Sequence, residues 1–151
     1  IRTRLVGSEM CIRDSLSTGY VYEGTKGNYK ETDPVKPFNN YGLSKLGGEC
    51  AVSMYKNSLI LRVTMTEKPF IHDAAFTNLK TNFMFHEDLA EILPKIINET
   101  GIINIGGKSQ SVYNFAKKHN KLVKKFKLNK DSKFPLNQTM NLSRLKKYLK
   151  W

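Results

Sequence analysis

Tyr41 and Lys45 lie four positions apart, and together they could move a proton. A free phenol, with a pKa of about 10, is a poor acid–base group at neutral pH. An ammonium beside it favours the phenolate and brings it toward the working range. On a helix, a four-residue step stacks the two side chains on one face. Thr18 precedes Tyr41 by 23 positions, with Ser17 beside it. Either hydroxyl could hold a substrate oxygen while that proton moves.

The same spacing recurs at Tyr22/Lys26 and Tyr113/Lys117, as seven tyrosines and many lysines would produce by composition. The first of these spans Gly24 in a loop. The second can share a helix face, but the residue 23 positions before it, Ala90, belongs to another helix. Tyr41/Lys45 alone opens a helix downstream of a strand tip, the carboxyl edge where open α/β sheets bind ligands.

The elements that must position this pair follow from local pattern. Leu16–Tyr22 reads as the end of a strand, and 23–37, with Gly24, Gly27, Asp33, Pro34 and Pro37, as a loop. Asn39 or Asn40 can cap a helix running to about Lys56, with Leu43, Leu46 and Cys50 on its apolar side. Residues 58–63 form a buried-strand candidate, and 67–82 is mostly loop. A helix over 87–100 should be kinked or interrupted at Pro94. Gly101–Ile105 is a strand, and Ser109 or Ser111 opens the next helix. Residues 121–136 are basic and extended, and Asn141 caps a last helix bearing Leu142, Leu145 and Leu149. Alternating strands and helices predict an α/β layered fold with parallel pairing.

A chain of 151 residues and 17.3 kDa suits one domain. A complete enzyme with separate cofactor and substrate lobes needs roughly twice that length. Aromatic residues at 11% argue against disorder despite a net charge of +12. No apolar run reaches the roughly 18 residues of a membrane span. Two cysteines in different contexts make no disulfide framework, which suits a reducing cytoplasm. Residues 1–15 stand apart, with no hydrophobic period and no capping logic. They resemble a translated sequencing-library adapter, so native sequence is expected from Leu16 onward.

From Ser17 to Gly24, then Tyr29 to Asp33, then Pro37 to Glu49, the chain resembles the extended short-chain dehydrogenases. Within them it is most similar to the dTDP-4-dehydrorhamnose reductases, with their STDYVFDG, ETD and P-x-N-x-Y-G-x-S-K-x-x-G-E segments. Leu59–Arg62, His86–Ala90, Gly101–Gly107 and Ser111–Ala116 continue the likeness in order. The resemblance implies a partial Rossmann-like, doubly wound parallel sheet with its N-terminal half missing, plus a small C-terminal substrate-binding lobe. The expected divisions are 1–15, 16–65 and 66–151. It further implies Tyr41 as general acid, Lys45 on the nicotinamide ribose, Thr18 on the substrate carbonyl with Ser17 beside it, and Arg62 near the cofactor. NADPH or NADH would be the cofactor, and a nucleotide-sugar the substrate. The chain departs from the pattern at Gly19, where the family has Asp, and over 66–85, which is short. No G-x-x-G-x-x-G loop, the usual pyrophosphate cradle, occurs in it.

Other motifs carry less. Gly101 to Ser109 is one residue too long for a P-loop and reads as a strand-to-helix turn with a serine cap. His72, His86 and His119 lack metal-ligand spacing, so no metal is expected. The Asn98, Asn137 and Asn141 sequons matter only in a secreted chain, and Cys50 reads as a core residue. From Lys117 onward, twelve Lys and Arg face one acid, Asp131. They interleave with apolar residues as on a solvated face, with no nucleic-acid-binding pattern.

The resulting expectation is a cytoplasmic NAD(P)-dependent reductase of a 4-keto nucleotide-sugar, of which this chain is an inactive C-terminal portion. No nucleic-acid or membrane partner is expected, and a homo-oligomer stays open. The alternatives are an epimerase of the same superfamily and a non-catalytic regulatory relative.

Overall fold

The computed structural model describes residues 14–129, 132 and 134–149. Most of the adapter-like stretch, residues 1–13, lies outside them. The first strand, β1, covers Asp14–Thr18 and so begins two residues before the expected native start. A 3-10 turn at Gly19–Val21 follows at once, where continued strand was expected. The cause is local: the Thr18 side chain accepts a hydrogen bond from the Tyr20 N–H and turns the chain out of the sheet.

Helix α1, Asn40–Val52, is capped by Asn39, whose Oδ1 accepts from the Gly42 N–H at 2.7 Å. Strand β2, Leu59–Val63, is buried along its whole length. Two short strands, β3 (Met65–Thr66) and β4 (Ala74–Phe76), are followed by β5 (Lys80–Thr81) and β6 (Met84–Phe85). Helix α2, His86–Ile96, contains Pro94 in its last turn and continues through it, so the expected interruption at Pro94 does not occur and the helix stops four residues short of Thr100. Then come β7 (Gly101–Ile105), β8 (Gln110–Ser111), α3 (Val112–His119, capped by Ser111), β9 (Lys124–Phe126) and α4 (Ser143–Leu149).

The central sheet has the order β1-β2-β7 and is parallel throughout, with Thr18 beside Val63 and Val63 beside Ile105. All three strands therefore end at one edge. Alternation along β2 decides what each face meets. Leu59, Leu61 and Val63 join Ile103 and Ile105 in a core closed by Leu89, Ile92 and Ile96 of α2 and Leu145 of α4. Arg62, one step out of phase, points instead to Glu49 of α1. A second core gathers Phe70, Leu79, Phe85, Val112 and Phe115, and a third gathers Val21, Tyr22, Tyr29 and Met140.

Helix α1 corrects one expectation. Cys50 is exposed and Leu43 is 60% exposed, so neither is a core residue. The buried positions are Gly42 and Glu49, seven apart on one face. A Cβ at Gly42 would strike the Tyr20 carbonyl, so the absent side chain lets α1 lie against the turn after β1. This helix is held by close backbone approach and a buried charge, not by an apolar stripe.

Candidate active site

The carboxyl edge of β1 and the first turns of α1 carry the candidate groups. Thr18 is buried at the strand tip, 6% exposed, and Tyr41 is 51% exposed. The Lys45 Nζ lies 5.9 Å from the Tyr41 ring centre, as one helical turn dictates. The same ammonium donates to the Leu16 carbonyl at 3.2 Å, reaching the β1 backbone two residues before Thr18. Tyr20 fills the corner between strand and helix, edge-on to Tyr41 at 6.2 Å and to Phe38 at 5.5 Å. Burial, with a smaller contribution from neighbouring Tyr41, pushes the Tyr20 phenol above its ordinary range, so Tyr20 stays neutral. The Tyr41 hydroxyl makes no hydrogen bond among the described residues.

Ser17 and Arg62 sit elsewhere. The Ser17 Oγ donates to Glu49 Oε1 at 2.5 Å, pointing away from the strand tip into the β1–α1 interface. Arg62 holds Glu49 through Nε at 3.0 Å and Nη2 at 2.7 Å, with both side chains about 95% buried. Its Nη1 donates to the Tyr22 hydroxyl at 2.8 Å, and that hydroxyl donates to Asn104 Oδ1 at 2.9 Å. Asn104 in turn donates to the carbonyl of Tyr29, and its backbone N–H meets Glu31. Burial works against the Arg62 charge, but hydrogen bonds to Glu49 and the nearby Tyr22 outweigh it and leave the pKa raised. Burial pushes the Tyr22 phenol up despite Arg62, so it accepts from the guanidinium as a neutral group. The network ties α1 to β1, β2, β7 and the 22–31 loop.

The other tyrosine–lysine pairs show how little the spacing alone decides. Lys117 also lies 5.9 Å from the Tyr113 ring, and Lys125 lies 5.5 Å from it, but that pair sits on α3 without a strand tip. Tyr22 is buried against Tyr29, ring centres 4.8 Å apart. Among the described residues, no three His, Cys, Asp or Glu side chains gather as metal ligands would.

With this geometry in hand, three likenesses agree. The RmlD substrate binding domain family matches residues 13–81. A dTDP-4-dehydrorhamnose reductase of Burkholderia thailandensis is 60% identical over 38 residues, 24% of this chain and 13% of that protein. Over these stretches the chain is similar to the dTDP-4-dehydrorhamnose reductases. The crystal structure of a hypothetical dTDP-4-dehydrorhamnose reductase from Sulfolobus tokodaii superposes with a TM-score of 0.75 at 28% identity, over 89% of this chain and 57% of that one. A Bacillus anthracis dTDP-4-dehydrorhamnose reductase in complex with NADP has the same fold, with a TM-score of 0.74 at 20% identity, over 88% of this chain and 58% of that one. The chain thus spans little more than half the length of these structures, and its sheet is part of a Rossmann-like α/β fold.

The unusual Gly19 has a packing reason. A Cβ there would lie 2.8 Å from Thr64 Oγ1 and 3.1 Å from Met140 Sδ, so the Asp expected from the reductase pattern would require both side chains to shift. Sequence reasoning missed Glu49, Tyr22 and Asn104. An arginine in the middle of an otherwise apolar strand was the available signal, because a buried guanidinium needs a buried carboxylate.

Proposed function

We propose that this chain carries the proton-handling and substrate-holding part of an NAD(P)-dependent reductase acting on a 4-keto nucleotide-sugar. The observation that carries the reading is Lys45: one ammonium spans the Tyr41 ring and the backbone of β1 just before Thr18. In this reading the half-exposed Tyr41 gives its hydroxyl proton to the carbonyl oxygen of the sugar. Thr18 holds that oxygen. Lys45, with one protein acceptor, keeps donors for a ribose diol, and its positive charge stabilises the phenolate left when Tyr41 gives up its proton.

The residues present fit the nicotinamide end of a cofactor: Tyr41 is open, and Lys45 is only partly engaged. When bound, that group would supply the hydride. The sequence holds no G-x-x-G-x-x-G cradle, so the chain alone should bind the dinucleotide weakly and turn over little or no substrate. Arg62 and Ser17 are read here as positioning residues, because Glu49, Tyr22 and Asn104 already occupy that network.

The test is NADPH oxidation with a 4-keto nucleotide-sugar by a chimera joining the N-terminal half of the Burkholderia relative to residues 14–149. Cofactor consumed in proportion to sugar reduced is the expected result. Turnover without net cofactor use would replace the reductase with an epimerase. An active chimera whose rate survives Tyr41→Phe would overturn the role given to Tyr41.

A further inference from the structure

A concavity elsewhere on the molecule has a different chemistry. Where β5, β8 and the start of α3 meet, a cavity of about 750 Å³ opens to solvent. Lys80, Lys108, Lys117 and Lys118 line it, and every other lining residue is a neutral hydroxyl or amide. No carboxylate, aromatic ring or aliphatic side chain takes part. Lys118 is held in place by Gln110, its Nζ donating to Oε1 at 3.0 Å. Lys26 and Lys36 find carboxylates in Asp33 and Glu23, but none of these four lysines has an ion pair among the described residues. Thr18, Tyr41 and Lys45 contribute nothing to it, so the inference stands apart from the reading of that site.

Four like charges around one hollow repel each other within a Debye length of about 8 Å at physiological salt. A multivalent anion would reverse that cost, and a phosphate group can accept from ammonium and hydroxyl together. We propose that this cavity binds a small polyphosphate anion through its oxygens. A nucleobase would find no aromatic platform there, which sets the site apart from single-strand nucleic-acid grooves. The recognised feature is the diphosphate itself, with Lys80 and Lys108 facing it from β5 and the 106–109 turn, and Lys117 and Lys118 from α3.

Inorganic pyrophosphate is the probe, titrated into the whole chain and followed by amide NMR shifts. Saturable shifts at Lys80 and over 108–118 are expected. The double variant Lys80→Gln/Lys108→Gln should weaken binding about tenfold, the effect of losing roughly one charge-assisted hydrogen bond. Lys30→Gln/Lys56→Gln removes the same charge from residues that do not line the cavity and should change it less than about twofold, because neither ammonium touches the anion there. Equal weakening by both variants would overturn the proposal, leaving only the net positive field. So would shifts that never saturate. A short oligothymidine that displaces pyrophosphate and binds more tightly would overturn it too, as a nucleic-acid surface.

Discussion

Replacing Glu49 by Gln tests how the candidate site is held together. The substitution keeps shape and one hydrogen-bond acceptor but removes the charge facing Arg62. Both partners are about 95% buried, and Arg62 would face a neutral amide oxygen, the Tyr22 hydroxyl and a long contact to the Glu31 carbonyl in place of a carboxylate. Breaking a buried ion pair from one side costs about 3–5 kcal/mol, since the remaining charge stays desolvated. Ser17 loses its charged acceptor as well, and Gln retains part of the geometry, so about 3 kcal/mol is expected. For a domain of this size that lowers Tm by about 10 °C. Urea unfolding of Glu49→Gln, Arg62→Met and the double variant would measure it. The double variant should lose less than the sum of the singles, with a coupling of about 2 kcal/mol. A loss below about 1 kcal/mol for Glu49→Gln, the worth of an exposed pair, would refute the claim that this carboxylate anchors α1.

Gly42→Ala should destabilise the chain by about 1–3 kcal/mol in urea unfolding, because the new methyl meets the Tyr20 carbonyl. Gly47→Ala and Gly48→Ala face open space and should each stabilise by about 0.5–1 kcal/mol through helix propensity, so the sign separates the positions. Acid should loosen the 23–36 loop. Asp33 is held below its usual range first by the Lys30 N–H and then by Lys26, and Glu23 first by hydrogen bonds to Lys36 and Thr25. With folded pKa values depressed, this support is present above the ordinary carboxylate range of about 4 and is lost as pH falls through the folded values. Hydrogen exchange at the Lys30 and Asp33 amides, corrected for intrinsic rate, should report that loss. In the active chimera, Thr18→Val should cut kcat/KM at least about tenfold, through one lost hydrogen bond to the substrate oxygen.

Where the sequence was readable, the reason is that local pattern and tertiary demand coincide. Gly101–Ile105 is a strand with the expected bounds, and Leu59–Val63 differs by one residue. Asn39 and Ser111 cap the helices they were expected to open. The misses share a different origin. Ala74–Phe76 and Lys124–Phe126 pair in parallel across fifty residues, which no local periodicity encodes. Leu43 and Cys50 looked like an apolar stripe, yet α1 turns Gly42 and Glu49 inward because close approach and a buried guanidinium decide its orientation. The proximity of Tyr41 and Lys45 was legible from their helical spacing. The network behind it was not, because its members come from five segments of the chain.

The central claim is that a phenol, an ammonium and a strand-tip hydroxyl face one ligand. Titrating the chain with a dTDP-linked hexose and mapping its methyl and amide resonances tests this most directly. The account predicts shifts clustered at Thr18, Gly19, Tyr41 and Lys45 that vanish in Tyr41→Ala/Thr18→Ala. Saturable binding that leaves all four unmoved would contradict it.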